Sequence, residues 1–318
     1  MNSKIRTPAA LPLLPALLLP ALLASCGAEP ENTPQAGDSK LVYASFEPQR
    51  WLSAQLVGEL AEIAVITAEG EDPLHYTPDE KQLAAIQQAK LVVLNGAGAE
   101  PWTDKLSLPL SKTVNTSDAF HDEYIEIQGA IKHSHGPGKE HTHAGTDPHI
   151  WLDPENLRRM ARAIHASLIK IWPEQKDALG KRLQATEKAI DALHQGFESL
   201  GKQPEGEVFV ASHPAYNYVA RRYGWEMLNL DLDPETMPGD EVFAELKEKL
   251  QSHKARYIFW EGEPKAEIAA RFKTELGLES VLFSPGELLS KDELAKGEDF
   301  ASVMQANMQR LQPVFAGQ

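Results

Sequence analysis

Short blocks of apolar residues recur along the chain, each bounded by polar, glycine or proline positions. β-prone apolar runs cover 41–45, 63–67, 91–95 and 112–115, and stretches with helical periodicity such as 51–60 and 78–88 separate most of them. Strands alternating with helices indicate βα units on a parallel sheet. The pattern returns at 207–211, 227–231, 257–260 and 281–283, with helical candidates at 214–223, 240–251 and 264–276. The chain therefore reads as an α/β protein with two groups of four strands, the same architecture twice.

Between the two groups lies 174–201. Its apolar residues Leu179, Leu183, Ile190, Leu193, Phe197 and Leu200 form one helical stripe. A helix over the whole stretch spans roughly 42 Å at 1.5 Å per residue. Such a helix joining two small lobes acts as a strut and makes wide hinge closure harder than flexible crossovers do. The expected organisation is an N-terminal lobe at 39–173, a linking helix at 174–203 and a C-terminal lobe at 204–318.

The N-terminus carries an address. Lys4 and Arg6 precede an apolar run from Ala9 to Ala24 that contains Pro12, Pro15 and Pro20. A basic flank followed by a short apolar stretch describes an export signal over 1–25, and the prolines argue against a stable membrane-spanning helix. The run ends Leu23-Ala24-Ser25-Cys26-Gly27. This resembles the bacterial lipobox, in which the cysteine is lipidated, so an exported chain anchored at Cys26 on the periplasmic or cell-surface side of a bacterial membrane is expected. Residues 26–38 read as a flexible tether.

Composition narrows the chemistry. The formal charge is −15, which disfavours nucleic acid and anionic lipid surfaces and mildly favours cationic ligands. Cys26 is the single cysteine, so neither an intramolecular disulfide nor a Cys-rich zinc site is available.

The eleven histidines are spread unevenly, and several fall where strands end. His213 follows the 207–211 run, Glu261 follows 257–260, and His75 lies in the loop after 63–67. His149 lies in Asp147-Pro148-His149-Ile150-Trp151-Leu152-Asp153-Pro154. In open α/β sheets ligands bind beyond the carboxyl ends of strands. Imidazoles with one carboxylate suit a borderline cation such as Zn2+. A second cluster, His133, His135, His141 and His143, falls within eleven residues whose Gly136-Pro137-Gly138 is expected to keep the tract irregular. His-rich tracts of this kind signal auxiliary metal binding.

The string DPHIWLDP after a His-rich loop, then SHPAYNYVARRYG, with SFEPQRWLSAQLVG and NGAGAEPW upstream, resembles the zinc-binding lipoproteins of bacterial ABC importers, within the zinc and manganese solute-binding cluster. The resemblance spans nearly the whole chain after the tether. It implies two lobes of four-stranded parallel sheet flanked by helices and joined by one long rigid helix, with the metal held between them. It also implies a monomeric carrier, not an enzyme, that delivers Zn2+ to an inner-membrane permease driven by a cytoplasmic ATPase. Carried over by position, His149 matches the family's second histidine ligand and His213 its third. Histidine at the third place favours zinc over the manganese-type members, many of which have glutamate there.

Two positions depart from the family pattern. Leu74 stands where the first ligand usually follows the proline, with His75 one residue later. Ser284-Pro285 stands where an Asp-Pro pair usually supplies the fourth ligand, and Glu261 is the expected replacement carboxylate, ahead of Glu263. The expected site is His75, His149, His213 and Glu261. The competing readings are a manganese-type importer subunit, a zinc-buffering or adhesin lipoprotein without a permease, and a zinc hydrolase using Glu263 or Asp231 as base. The hydrolase lacks any HExxH-type helical pair.

Overall fold

Each of the eight apolar runs becomes a strand, with ends shifted by at most a few residues. The computed structural model describes residues 40–67, 71–127, 132–134, 140–142 and 145–316. The segments 1–25 and 26–38, with Cys26, and also His135 and His143 lie outside the described residues, as do the side chains of His133 and His141.

The N-terminal lobe runs β1 (Leu41–Ala44), α1 (Glu47–Val57), β2 (Glu62–Val65), α2 (Glu80–Gln88), β3 (Leu91–Leu94) and β4 (Thr113–Asn115). Its strands pair in parallel in the order β2-β1-β3-β4. Leu91, Val92, Val93 and Leu94 of β3 are all buried, as expected of a central strand covered on both faces.

Two small ladders follow, β5 (Glu126–Ile127) with β8 (Gly145–Thr146), and β6 (Lys132–Ser134) with β7 (Glu140–Thr142). The β6–β7 pairing corrects the expectation of an irregular His-rich tract. Gly136-Pro137-Gly138 falls between the strands and not within either, so the breakers do not prevent pairing. In the antiparallel register His133 is directly opposite His141.

Two long helices come next, α3 (Pro154–Ile171) and α4 (Lys176–Ser199). α4 is shorter than the expected 174–203 because Pro173–Gln175 forms a separate 3-10 turn. Leu179, Ile190, Leu193 and Phe197 of the sequence stripe are buried, and Leu183 is partly so.

The C-terminal lobe runs β9 (Phe209–Ala211), α5 (Asn217–Tyr223), β10 (Met227–Asn229), α6 (Asp240–Lys249), β11 (Tyr257–Trp260), α7 (Ala266–Leu276), β12 (Glu279–Leu282), α8 (Lys291–Ala295) and α9 (Phe300–Ala316). Its sheet is parallel in the order β10-β9-β11-β12, the same winding as the first. Both sheets therefore have a topological switch point, between β1 and β3 and between β9 and β11, where a crevice opens beyond the strand ends.

The lobes share one floor. A single hydrophobic cluster includes Val42 and Leu52 from the first lobe, Met160 of α3, Ile190 of α4, Phe209 of β9 and Leu311 of α9. Gly196 of α4 lets α9 approach closely, because a Cβ there would collide with the Met308 sulfur. A continuous close-packed core resists shear between its parts, so the strut is α3, α4 and α9 together. Among the described residues no helix is long and apolar enough to cross a membrane.

The loop leaving β3 gives a pH-dependent prediction. Ala97 has φ +53°, a left-handed conformation that costs a non-glycine residue energy. The buried carboxylate of Glu100 braces this turn by accepting from the backbone N–H of Asn95 at 2.6 Å and of Gly96 at 3.0 Å. Burial raises the Glu100 pKa to about 7, against the lowering effect of Ser45 and those two N–H groups. Between the unfolded value of 4.5 and 7 the native state binds more protons, so this group's contribution to stability falls as pH rises. Urea unfolding should show wild type losing stability relative to Glu100→Gln from pH 5 to 7, with the difference flat above about pH 8. Parallel curves over that range would mean that Glu100 ionises normally.

Candidate metal centre

Asn95, at the end of β3, pins the DPH turn over the first sheet. Its Oδ1 accepts from Gln49 Nε2 at 2.8 Å, and its Nδ2 donates to Pro148 O at 2.9 Å. Asp147 then sets the His149 ring. The backbone N–H and Nδ1 of His149 both donate to Asp147 Oδ1, at 2.9 and 2.8 Å. With Nδ1 occupied, Nε2 is the atom left to face the opposite lobe. His149 is 1% exposed and Asp147 fully buried. Trp151 packs 5.3 Å from the His149 ring, and its Nε1 donates across the cleft to Pro285 O at 2.9 Å.

The second lobe answers from its strand ends. His213 lies two residues past β9, Asp231 two past β10 and Glu261 one past β11. His213 Nδ1 is 3.7 Å from Asp231 Oδ1 and 4.0 Å from Glu261 Oε2. The His149 and His213 rings are 5.5 Å apart, edge to face. Both imidazoles thus turn Nδ1 toward a carboxylate of their own lobe.

A further carboxylate comes from the loop after β12. Glu287 Oε1 lies 2.6 Å from His149 Nε2. The turn that presents it needs Gly286, whose φ is +70° and where a Cβ would press on the Phe300 ring at 3.0 Å. Ser284 Oγ accepts from Gly286 N at 3.2 Å, and the Asn307 amide of α9 bonds both the N–H and the carbonyl of Ser284. The Glu287 carbonyl accepts from Glu47 N at 2.8 Å, closing the turn onto the first lobe.

The electrostatics are those of a cation site. Burial alone would lower the His149 pKa, but Asp147 and Glu287 outweigh it and hold the imidazole up at about 10. His213 is likewise raised, its desolvation outweighed by Glu261 and Asp231. Burial pushes Glu261 up, whereas the His149 pairing, with His213 and His75, overcomes burial and lowers Glu287. The cluster therefore holds positive charge on its imidazoles, the charge a bound dication would supply instead. His149 Nε2, buried 2.6 Å from Glu287, makes no well-aligned hydrogen bond. Once a metal displaces its proton, that nitrogen and the carboxylate form a donor pair that Zn2+ accepts.

The structure brings together three of the four sequence-predicted residues, His149, His213 and Glu261. His75 lies at the edge, half-exposed, with Nε2 3.7 Å from Asp72 and close enough for its charge to be felt by Glu287. Among the described residues no three His, Cys, Asp or Glu groups are drawn tightly enough to hold a metal ion in this conformation. Sequence reasoning missed Glu287. The signal was the first acid after Ser284-Pro285, three residues past the position where the resemblance leads one to seek an aspartate.

The profile described as ZnuA, zinc-uptake complex component A, periplasmic, matches residues 42–314. The zinc-binding lipoprotein AdcA of Streptococcus pneumoniae serotype 4 is 29% identical over 302 residues, which is 94% of this chain and 60% of that protein. The chain thus spans about 60% of the length of that relative. The high-affinity zinc uptake system protein ZnuA of Bacillus subtilis is 26% identical over 303 residues, covering 91% of this chain and 92% of its own length. The crystal structure of the Zn(II)-bound ZnuA-like domain of S. pneumoniae AdcA aligns with a TM-score of 0.74 at 25% identity, over 87% of this chain and 98% of that one.

Proposed function

The chain belongs to the ZnuA family of periplasmic zinc-uptake components, and on that premise we propose that it captures Zn2+ between its two lobes and delivers it to the permease of an ABC importer. The relatives named for zinc uptake and zinc binding support this reading. The observation that carries it is the buried contact of His149 Nε2 with Glu287 Oε1 at 2.6 Å, with the His213 ring 5.5 Å away. These three groups come from strand-end loops of both lobes.

The proposed ligands are His149, His213 and Glu287, with His75 brought in from the rim. Asp147 and Asp231 orient the two buried imidazoles through Nδ1, as outer carboxylates do in zinc sites. Glu261 stands with Asp231 on the Nδ1 side of His213 and adds negative charge. Four protein ligands with no open position make a carrier rather than a hydrolase. Cys26 anchors the chain to the membrane after export, residues 26–38 are its tether, and the lobes at 39–173 and 204–318 act as one monomeric capture unit. His133, His135, His141 and His143 form an auxiliary collecting loop, with His133 directly opposite His141 in the β6–β7 backbone register.

A competition titration of Zn2+ against the metal-stripped protein tests the reading. One tight site is expected, lost in His213→Ala and kept when 133–143 is deleted. Loss of all tight binding in the deletion, with His213→Ala unaffected, would make the loop the zinc site and the protein a buffer.

A further inference from the structure

Two motifs far apart in sequence interlock across the lobes. DPHIWLDP belongs to the first lobe, and α5, within SHPAYNYVARRYG, belongs to the second. Asp147 uses one carboxylate oxygen for His149, and its other oxygen accepts from Asn217 Nδ2 at 2.9 Å. The Asn217 amide is itself held in one orientation, since Nδ2 also donates to Pro214 O at 3.0 Å and Oδ1 accepts from Asn229 Nδ2 at 2.7 Å. Asn229 ends β10, two residues before the Asp231 that faces His213. The next residue of α5 reinforces the contact: Tyr218 Oη accepts from Ile125 N at 3.0 Å and donates to the Asp147 carbonyl at 3.2 Å.

We propose that Asn217 is a positioning residue for zinc capture, holding Asp147 and through it the His149 ring in ligating orientation only while the two lobes are apposed. This rests on the interlobe zinc site described above. Asn217 does not touch the ion. It belongs to the helix that follows His213, so the His149 of one lobe is aimed by the lobe that carries its partner ligand. A carboxylate that has lost one of its donors swings more freely, and an imidazole bonded to it loses its fixed azimuth. Separation of the lobes at the permease breaks the Asn217–Asp147 bond and loosens His149 in the same movement. Release is then coupled to opening without any group having to push the ion out.

Two readouts test it. The first is zinc affinity, by competition with a chelator. Asn217→Ala is expected to lower affinity about 5–20-fold and Asp147→Ala about 10–100-fold. The double variant is expected to bind as Asp147→Ala alone does, because Asn217 acts through Asp147. The second is the His149 Nδ1–H proton in the NMR spectrum of the metal-stripped protein. Its bond to a buried carboxylate holds it downfield and slow to exchange, and Asn217→Ala should move it upfield and speed its exchange. A generally loosened fold would lower the melting temperature but would leave the two affinity losses multiplying. Asn217→Leu, close in volume and unable to donate, carries the same test should the alanine variant not fold. Affinity within twofold of wild type with the Nδ1–H signal unmoved, or losses that multiply in the double variant, would overturn the proposal. Should His149→Ala itself bind zinc as wild type does, the interlobe zinc site falls, and this outcome is distinct from the failure of Asn217 alone.

Discussion

Glu287→Gln is expected to weaken zinc binding by roughly two to three orders of magnitude, whereas Glu261→Gln should cost no more than about tenfold. The difference follows from which imidazole nitrogen each carboxylate faces. Glu287 lies on the Nε2 side of His149, the nitrogen not committed to Asp147. Glu261 lies nearest the Nδ1 of His213, beside Asp231, rather than against an imidazole Nε2. A ligating carboxylate supplies charge as well as a bond. The amide of glutamine keeps the shape and an oxygen but removes the charge that offsets desolvation of a dication. A carboxylate that only orients a ligand, or adds field from behind it, loses less when neutralised. The measurement is chelator competition on the metal-stripped protein at fixed pH and ionic strength. If Glu261→Gln shows the larger loss, the fourth ligand is the one expected from sequence and Glu287 is its outer partner.

The difference between those two glutamates marks where sequence reasoning stops. The strands were legible because each is a short apolar run with a polar boundary, and Leu91–Leu94 is as clear a buried strand as a sequence can offer. His213 and Glu261 were legible for the same reason, since they sit immediately beyond such runs. α9 obeys the same rule as α4, with Phe300, Val303, Met304, Met308 and Leu311 on one buried stripe. Glu287 was not legible. It lies in a turn without periodicity, and its position depends on Gly286 at positive φ, on the Asn307 clamp and on a backbone bond to Glu47. Each of those is a contact between distant parts of the chain. The α5 clasp was hidden in the same way. SHPAYNYVARRYG reads as a strand end followed by a helix, and nothing in its spacing says that Asn217 and Arg222 each grip an aspartate of DPHIWLDP. Two motifs that carry a family resemblance turn out to be partners in one contact.

The second of those grips should dominate stability. Arg222→Leu is expected to cost about 1–3 kcal/mol, below the range for a fully buried pair because the Arg222 side chain is 36% exposed and water can take its place. Asp153 is 3% exposed and receives both Nε and a terminal nitrogen of Arg222, at 2.7 and 2.8 Å. It is also the N-cap of α3, accepting from Glu155 N at 2.9 Å, with Pro154 fixing the first turn. Removing the guanidinium leaves the carboxylate with the cap bond and whatever water enters from the exposed side. Arg222→Lys should recover only part of the loss, because an ammonium cannot make the two-pronged contact. Asp153→Asn should cost less than Arg222→Leu, since it removes the buried negative charge while keeping an oxygen for the cap. This ordering separates the pair from simple packing: if Arg222 matters through its aliphatic stem, lysine restores most of the stability and Asp153→Asn is nearly silent. Urea unfolding of the metal-free chain gives the comparison directly. Because the same helix presents Asn217 to Asp147, the loss of Arg222 should also weaken zinc binding, and by more at temperatures nearer the melting point. The bidentate pair holds α5 against the first lobe, and the proposed zinc site would take its geometry from that contact.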